Sequence, residues 1–422
     1  MKQIKRHKIL LGFSEVAGYQ ANLFEGLISH KHIVGYINND NVKYDYKFSK
    51  NRNHPRLNKY NSFCKKAINN PTLINKVSFV LYTFFILFFV TIYYDVFIIN
   101  KFSIFYQLDI RLFKFFNKKI IFLSLGSDTR PPYLNGKYKD DEINQEFNLS
   151  KILVESKKIS KKVKFIEKNV DIFINYPQHG HFNSKPFIDG MYIGFPAKIR
   201  NDQDITRTDS ILKILHAPSR PNAKGSMFIK ELIKNLKDEG LIIELIELIN
   251  VSNDKVIDQI KKCDIVFDEI YSDMPLGGIG TEAAQFSKPV IVGGYYLNFL
   301  NEYDSNIIPP SIYVHPDELK SNLKNLCLDE RKRIQTGKEL NTFVNSMWNY
   351  KVVAKRYLDI INNQYDNKWV YDPKKISYFN GWGLNESEMK ENVKKIIKHH
   401  GGTLNLRISN PEIIEKLKRK II

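Results

Sequence analysis

Residues 276–293 read LGGIGTEAAQFSKPVIVG, and this stretch is the most informative part of the sequence for the fold. A glycine-rich turn leads into a short helical segment at 281–287 and then into an apolar strand at 289–292. Glycines allow a phosphate to approach the backbone closely, and the helix that follows offers N–H groups to it. Glu282, just inside that helix, can accept hydrogen bonds from ribose hydroxyls. A plain tight turn, with Glu282 as a favourable charge near a helix N-terminus, is the alternative.

The same alternation of strand and helix extends outward from this stretch through most of the chain, which is typical of parallel α/β units. In the second half we predict strands at 211–216, 241–245 and 265–267, and helices at 227–239 and 253–262. In the first half we predict strands at 9–13, 33–37, 96–99, 120–124 and 172–175. The predicted fold class is therefore α/β, with two Rossmann-like domains facing a cleft.

Domain boundaries follow from length and local composition. A chain of 422 residues exceeds what one hydrophobic core usually organises. The segment 198–210 is polar, charged and poor in large apolar residues, so we place a linker there. The predicted division is a first domain at 1–197, a second domain at 211–345, and a C-terminal return helix with a helical extension at 346–422.

The chain is strongly basic, because 64 Lys and Arg against 45 Asp and Glu give a formal net charge of +19. Such a balance suits a polyanionic partner or an anionic membrane surface, although a generally lysine-rich proteome would also explain it. Much of the excess lies at 43–66 and 151–168, without the spacing of a nucleic-acid-binding module, so no nucleic-acid partner is expected. The three cysteines lie far apart and form no CxxC pair, which fits a reducing cytoplasm.

Residues 77–94 read VSFVLYTFFILFFVTIYY and hold no charged side chain over nearly the length of a membrane span. The apolar run continues past Asp95 into the strand at 96–99, so it divides into a helix followed by a strand. We favour a buried or membrane-facing helix, and a single span is the alternative. Beside the basic segment 43–66, exposed aromatic residues here would form a membrane-docking face. The expected localisation is cytoplasmic and peripheral, at the inner face of the cell membrane.

A second candidate loop, at 216–226, reads HAPSRPNAKGS and follows the strand at 211–216. Because the carboxyl ends of parallel strands meet at one edge of a sheet, this loop and the glycine turn are expected to lie close together. Lys224, just ahead of a helix N-terminus, would place positive charge beside free N–H groups, as a diphosphate requires. A solvated lysine before a helix is the alternative.

Taken together, residues 211–293 resemble the donor-binding domain of GT-B glycosyltransferases, near the large retaining family with an Arg/Lys pair and an EAxxxGxPV segment. The resemblance implies that Lys224 contacts the donor diphosphate, that Glu282 contacts the ribose, and that the amides of 278–281 contact the phosphates. It also makes 1–197 the acceptor-side domain. The donor-binding residues predicted in this way are Ser219, Arg220, Lys224, Gly225, Gly278, Ile279, Gly280, Thr281 and Glu282.

Two departures from the retaining pattern matter for the chemistry. That pattern has a Glu eight residues before the ribose Glu, where this chain has Met274, and an Arg five residues before the Lys, where this chain has Ser219. The adjacent Asp273 and Arg220 are the candidates to replace them. The departures leave open whether transfer retains or inverts the configuration of the sugar.

The first half resembles the same superfamily more faintly, in Leu125 and the GSDTR segment that follows it; similar GSD-x-R segments occur in bacterial surface-polysaccharide transferases. Asp128 and Arg130 follow the strand at 120–124 and are expected to face the cleft. Asp128 is a candidate base or a ligand of sugar hydroxyls, and a structural salt bridge with Arg130 is the alternative. With Asp273, these are the predicted catalytic residues. His179 and His181 form an HxH pair, but no third ligand is identifiable and no metal site is predicted.

The predicted function is transfer of a sugar from a nucleotide sugar to a glycan or lipid-linked saccharide acceptor in bacterial cell-surface polysaccharide synthesis, for lipopolysaccharide or capsule. No cofactor is expected, and no metal either, since no DxD-like carboxylate pair stands at the end of a donor-domain strand and the amides with Lys224 can neutralise the diphosphate. A non-catalytic nucleotide-sugar or glycan-binding protein on the same fold is the alternative, and Met274 favours it. A dehydrogenase is improbable because no GxGxxG follows the first strand.

Overall fold

The computed structural model describes residues 6–39, 49–101, 103, 107–139, 148–199, 211–399 and 402–421. These residues form two sheets of largely parallel strands with helices on both faces. Of the predicted linker 198–210, only residues 198 and 199 are described, and of the basic segment 43–66 only residues 49–66.

The first half of the chain forms a sheet whose strands are short and apolar. Its strands are β1 (Lys8–Gly12), β2 (Ile33–Tyr36), β3 (Val96–Ile99), β4 (Lys119–Leu123), β5 (Ile172–Asn175) and β6 (Phe187–Asp189). The helices between them are α1 (Tyr19–Ser29), α2 (Pro55–Asn69), α3 (Leu73–Tyr93), α4 (Leu108–Phe115), α5 (Leu149–Asn169) and α6 (Gly190–Ile193). All four residues of β3 are buried, as expected for a strand covered on both faces.

The second half forms a five-stranded parallel sheet. In chain order its elements are β7 (Leu212–His216), α7 (Pro221–Lys224), α8 (Ser226–Asp238), β8 (Ile243–Glu247), α9 (Asn253–Lys262), β9 (Ile265–Phe267), α10 (Gly278–Ala284), β10 (Val290–Gly293), α11 (Leu297–Leu300), β11 (Ile312–Val314), α12 (Leu319–Leu328) and α13 (Glu330–Met347). The strand order is β11-β10-β9-β7-β8, so the chain reverses direction across the sheet between β8 and β9.

The end of the chain returns to the first sheet. Its elements are α14 (Tyr350–Ile361), β12 (Val370–Tyr371), α15 (Glu386–His399) and α16 (Pro411–Ile421). β12 pairs antiparallel with β6, which completes a seven-stranded sheet in the order β12-β6-β5-β4-β3-β1-β2. Residues of α15 and α16 such as Met389 and Leu417 belong to the same buried cluster as Phe97 of β3. The first domain is therefore built from both ends of the chain.

Helix α3 is packed on one side only. Ile86, Leu87 and Val90 are buried against α2 and the first sheet. On the other side, Leu81 is 68% exposed and Ile92 is 76% exposed. By length and composition α3 is the one helix among the described residues that could cross a membrane, with a mean hydropathy of 2.0. Its packed face shows that the predicted apolar run forms a half-covered helix followed by the strand β3.

The predicted and observed elements agree closely, with some shifts in their ends. The strands at 96–99, 172–175 and 265–267 and the helix at 253–262 have the predicted bounds. Helix α10 begins at Gly278, three residues before the predicted start, so the glycines lie in its first turn and not in an open loop. The helical region at 341–362 is interrupted at Trp348 and Asn349, between α13 and α14.

The carboxyl ends of the two sheets face each other across a narrow cleft. A Cβ atom placed on Gly278, after β9, would lie 2.9 Å from the Cβ of Ala17, after β1. Arg130, after β4, reaches Asp273, after β9. The predicted fold class, two Rossmann-like domains facing a cleft (GT-B) with a helical C-terminal extension, is confirmed.

Candidate active site

A buried cluster of three side chains joins the two sheets. Arg130 follows β4, His179 follows β5, and Asp273 lies in the loop after β9. Nη2 of Arg130 donates to Oδ2 of Asp273, and Nε2 of His179 lies 2.6 Å from Nη2 of Arg130 and 3.1 Å from Oδ2 of Asp273. Each residue is less than 5% exposed. Two of the three predicted catalytic residues therefore meet, and His179, which the sequence offered only as half of an HxH pair, joins them.

We call these three residues the cross-cleft cluster. Its electrostatics favour an ion pair between Arg130 and Asp273 beside a neutral imidazole of His179. Burial acts to raise the pKa of Asp273, but the charge of Arg130 and the hydrogen bonds from Arg130 and His179 outweigh it, so this pKa lies below its ordinary value. Burial and then the charge of Arg130 lower the pKa of His179. Nδ1 of His179 and Nε of Arg130 have no hydrogen-bond partner in the described part of the chain.

Asp128 lies next to this cluster but outside it. The Leu125 amide donates to its Oδ2 at 3.4 Å. Burial raises the pKa of Asp128 to about 6, although its backbone hydrogen bonds and the charge of Arg130 act in the opposite direction. The alternative of a salt bridge between Asp128 and Arg130 is wrong, because the buried guanidinium is directed to Asp273. Asp128 is left as a half-buried carboxyl poised near neutral pH.

A second cluster surrounds Lys224 and lies within the second domain. Nζ of Lys224 pairs with Oδ1 of Asp268 and lies 3.4 Å from Oε2 of Glu269. Burial opposes the charge of Lys224, but the two carboxylates outweigh it and raise its pKa. Burial raises the pKa of Glu269 despite the neighbouring Lys224. We call these three residues the Lys224 cluster; it carries up to two negative charges for one positive charge.

The two carboxylates of this cluster correct the prediction about acidic residues at the end of a strand in the second domain. Asp268 and Glu269 are adjacent residues directly after β9, at the carboxyl edge of the second sheet, where the sequence predicted no DxD-like pair. They were missed because they do not have DxD spacing. Oδ2 of Asp268 has no partner in the described part of the chain, and a Cβ on Gly277 would lie 2.7 Å from it. Lys224, predicted for a diphosphate, is thus already paired.

The start of α10 also modifies the prediction. The amides in the first turn of a helix have no intrahelical acceptors, so the helix itself does not use those of Gly278, Ile279 and Gly280. The Thr281 amide donates to the Gly277 carbonyl at 2.9 Å, so it is not available to a phosphate as the resemblance implied. Glu282 lies one turn along, where Nδ2 of Asn253 donates to its Oε1 at 2.7 Å.

The remaining predicted donor residues lie around the loop after β7. Ser219 and Arg220 are exposed. Gly225, with a φ of 74°, is the N-cap residue just before α8, and a Cβ there would lie 2.8 Å from Ile270. A cavity of about 470 Å³ beside α8 is lined by Gly225 but by none of the other predicted donor residues. It lies next to the predicted donor site and does not coincide with it.

The HxH pair does not act as a unit. His181 donates from Nε2 to the Tyr378 carbonyl at 2.7 Å, and burial lowers its pKa to about 4. Among the residues that the structure describes, no group of three or more His, Cys, Asp or Glu side chains is arranged to hold a metal ion.

Trp382, from the C-terminal extension, is a further side chain near the site that was not predicted from the sequence. Its Nε1 donates to both carboxylate oxygens of Glu269, at 3.0 and 3.1 Å. The guanidinium carbon of Arg130 lies 5.6 Å from the centre of its ring. The isolated Trp in the Gly-Trp-Gly sequence at 381–383 is the signal that could have identified it.

Solved structures share this architecture at low sequence identity. Sucrose-phosphate synthase from Thermosynechococcus elongatus is 14% identical, and the match covers 85% of this chain and 99% of that chain at a TM-score of 0.46. HepE from Anabaena, solved with UDP and glucose, is 12% identical, with 85% and 100% covered at 0.45. A Listeria monocytogenes protein assigned as a UDP-N-acetylglucosamine 2-epimerase is 12% identical, with 86% and 98% covered at 0.44. At these values the likeness concerns the fold alone.

No family model matches this sequence, and no curated protein matches it significantly.

Proposed function

We propose that this protein is a glycosyltransferase that moves a sugar from a nucleotide sugar to a glycan or lipid-linked saccharide acceptor in bacterial cell-surface polysaccharide synthesis. The observation that carries the proposal is the cross-cleft cluster: the carboxyl edges of two Rossmann-like sheets meet through Arg130, His179 and Asp273. Ligands of open α/β sheets bind at this edge. A site that two such edges share can hold a donor on one sheet and an acceptor on the other.

The donor side is the start of α10 with its neighbours. The first-turn amides of 278–280 can donate hydrogen bonds to the diphosphate oxygens. Glu282, which accepts a hydrogen bond from Asn253, can also accept hydrogen bonds from ribose hydroxyls. Lys224 can turn from Glu269, 3.4 Å away, toward the same oxygens. These amides and this cation would stabilise the departing diphosphate, and we propose that they do so without a divalent metal.

The acceptor side is the loop after β4. The acceptor hydroxyl oxygen would bond to the anomeric carbon while the bond from that carbon to the diphosphate breaks, so the hydroxyl proton needs an acceptor. Asp128 is the candidate, because a carboxyl with a pKa of about 6 is largely ionised at neutral pH and is still a useful base. Arg130 and Asp273 would orient the sugar between the two domains.

A non-catalytic binder on the same fold is the competing proposal. It is favoured by Met274, which stands where the retaining pattern has a carboxylate, and whose sulfur accepts from Nε2 of Gln178 at 3.3 Å. A binder and an enzyme both hold the nucleotide sugar. They differ in whether nucleotide is released, so the experiment measures both.

The test combines thermal stabilisation by UDP, GDP, dTDP and their sugars with release of nucleotide diphosphate, with and without EDTA. We expect one base to be selected and its sugar to be slowly hydrolysed, with EDTA having no effect. Lys224→Ala and Glu282→Ala should weaken binding by about tenfold to a hundredfold, as for hydrogen bonds to charged groups. Lys332→Ala and Glu302→Ala, at exposed positions of the same domain, are the matched controls. Binding without turnover would favour the binder, and no binding would refute both.

We also propose that the enzyme works as a peripheral protein on an anionic membrane, through the exposed face of α3. Basic side chains border this face: the guanidinium of Arg56 lies 4.8 Å from the ring of Phe89, and Nζ of Lys59 lies 5.8 Å from the ring of Tyr82. An apolar face with a basic border suits the interface of an anionic bilayer. The opposite face of α3 is packed against the first domain, so a span would have to separate from its core.

Sedimentation with vesicles tests this surface. Leu81→Ser should reduce binding to phosphatidylglycerol vesicles, whereas Leu328→Ser, at a position equally exposed at 68%, should not. Vesicles of phosphatidylcholine alone should bind less, and high salt or carbonate should release the protein. Retention until detergent is added would instead support a span.

A further inference from the structure

The C-terminal extension sends one short segment into the cleft between the domains. This segment, which we call the strap, comprises residues 378–384 and reads YFNGWGL. On the side of the first domain, the Trp382 amide donates to the Leu134 carbonyl at 3.1 Å, and the Gly136 amide donates to the Trp382 carbonyl at 2.7 Å. On the side of the second domain, the Gly383 amide donates to the Tyr271 carbonyl at 2.8 Å. The strap is thus fixed to both domains by backbone hydrogen bonds.

The two glycines that flank Trp382 make this close fit possible. Gly381 has a φ of 73°, and a Cβ there would lie 2.2 Å from the Leu134 carbonyl oxygen. Gly383 has a φ of 69°, and a Cβ there would lie 2.9 Å from the Ala223 carbonyl oxygen. Any residue larger than glycine is disfavoured at both positions, because its φ is positive and because a Cβ would collide with the neighbouring backbone. The backbone on each side of Trp382 is therefore specified, and so is the position of its ring.

That position is between the two charged clusters. Nε1 of Trp382 binds Glu269 of the Lys224 cluster, and Arg130 of the cross-cleft cluster lies over its ring. The ring is only partly buried. A ligand that extends from Lys224 to Arg130 must therefore pass beside the indole. A donor whose diphosphate lies at Lys224 and whose sugar lies at Arg130 would follow this line.

We infer that Trp382 is a positioning residue of the donor site, which holds Glu269 away from the diphosphate and forms the wall beside the transferred sugar. This inference rests on the proposed function. The indole N–H of Trp382 donates to both carboxylate oxygens of Glu269 and keeps this side chain from turning fully onto Lys224. The charge of Lys224 is then partly available to a phosphate. Loss of that N–H would let the Glu269 carboxylate turn further onto Lys224, so less of the lysine's charge would be available to the donor diphosphate.

The conservative variant Trp382→Phe tests this role, because it keeps an aromatic ring and removes the N–H. We expect it to weaken binding of the selected nucleoside diphosphate by about tenfold in calorimetry. The donor KM should rise in parallel, and kcat should change less. Trp369→Phe, the same substitution at a tryptophan that stacks on Tyr192, is the matched control and should bind normally.

Fluorescence gives a readout that a merely structural role would not change. The chain has three tryptophans, so the double variant Trp348→Phe/Trp369→Phe leaves Trp382 as the single tryptophan, which is excited at wavelengths where tyrosine does not absorb. Titration with UDP, GDP and dTDP should alter its emission for the base that binds, with the affinity found by calorimetry. Nucleotide binding that leaves this emission unchanged, with normal binding by Trp382→Phe, would overturn the inference while the proposed function stands. Absence of nucleotide binding by calorimetry would overturn both.

Discussion

The cross-cleft cluster and the Lys224 cluster contain similar groups but are built in different ways. Arg130 and Asp273 come from different domains and form one buried ion pair beside a neutral histidine. Lys224, Asp268 and Glu269 come from one domain, and there the carboxylates outnumber the cation. The first cluster therefore has balanced charge and depends on how the domains meet. The second has excess acid and exists in the second domain alone.

If the proposed function is correct, this difference separates two tasks that a transferase must combine. A balanced pair across the cleft stabilises one arrangement of the domains, and ligand binding need not change its charge. An acid-rich cluster around a lysine repels a diphosphate until the lysine moves or a carboxyl is protonated. Donor binding is thus expected to depend on pH and on Glu269, whereas domain arrangement is expected to depend on Arg130.

The largest effect should follow from breaking the balanced pair. Asp273→Ala leaves Arg130 buried without its carboxylate, and removal of one partner of a buried pair costs about 3–5 kcal/mol of stability. Thermal unfolding should show a correspondingly lower midpoint. Asp317→Ala, at a carboxylate whose side chain is 90% exposed in a surface pair, should cost at most about 1 kcal/mol. Equal midpoints for the two variants would contradict the assigned role of the cluster.

A smaller and pH-dependent effect is expected for the Lys224 cluster. Lys224→Met should destabilise the protein by about 1–3 kcal/mol, because two buried carboxylates lose their charged hydrogen-bond donor. The pKa of Glu269 is already raised by burial and should rise further, so the folded variant binds a proton more tightly than the unfolded chain does. Its stability should then fall as the pH rises above about 4.5. The difference in melting midpoint from wild type should be larger at pH 8 than at pH 5, and a constant difference would refute this account.

The third prediction concerns Asp128, which lies beside the cross-cleft cluster without belonging to it. If its carboxylate accepts the acceptor proton, kcat/KM should rise about tenfold between pH 5 and pH 7, since its pKa is about 6. Asp128→Asn should remove this rise as well as most of the activity. A profile that keeps its shape in the variant would show that Asp128 serves only to bind or to pack.

The smallest effect is expected at the edge of the donor side. Asn253→Ala removes one neutral donor to Glu282, which should weaken nucleotide binding by about twofold to tenfold. Calorimetry with the selected nucleotide measures this change. A loss as large as that of Glu282→Ala would mean that Asn253 itself contacts the ligand.

The strands and helices could be predicted well from the sequence because each is marked by a pattern of neighbouring residues. Strands such as β3 and β9 are short apolar runs between polar residues, and their bounds were predicted to the residue. The pairing of Arg130 with Asp273 was not predicted, although both residues were chosen, because it joins positions 143 apart in the sequence. The start of α10 was misplaced because Gly278 and Gly280 disfavour a helix interior but are tolerated in its first turn.

Three residues of the candidate site were not predicted, for a different reason. Asp268 and Glu269 acquire their role only through Lys224. Trp382 acquires its role only through the strap, and the two glycines beside it are a local signal that does not indicate its partners. Their side chains are ordinary at the level of composition and become distinctive only through tertiary contact. No spacing rule relates position 382 to position 269.

The return of the chain to the first sheet has a consequence for synthesis. The buried cluster around Phe97 requires Met389 and Leu417, and α1 packs on α14 so closely that a Cβ on Gly26 would lie 2.3 Å from the Tyr350 carbonyl oxygen. On the ribosome, the second domain has all its strands before the first domain has its full core. The earlier-made half is therefore expected to wait, incompletely packed, until residue 421 has emerged from the exit tunnel. Nascent chains stalled once residue 366 has emerged from the tunnel should show the second domain protected from protease and the first domain cleaved.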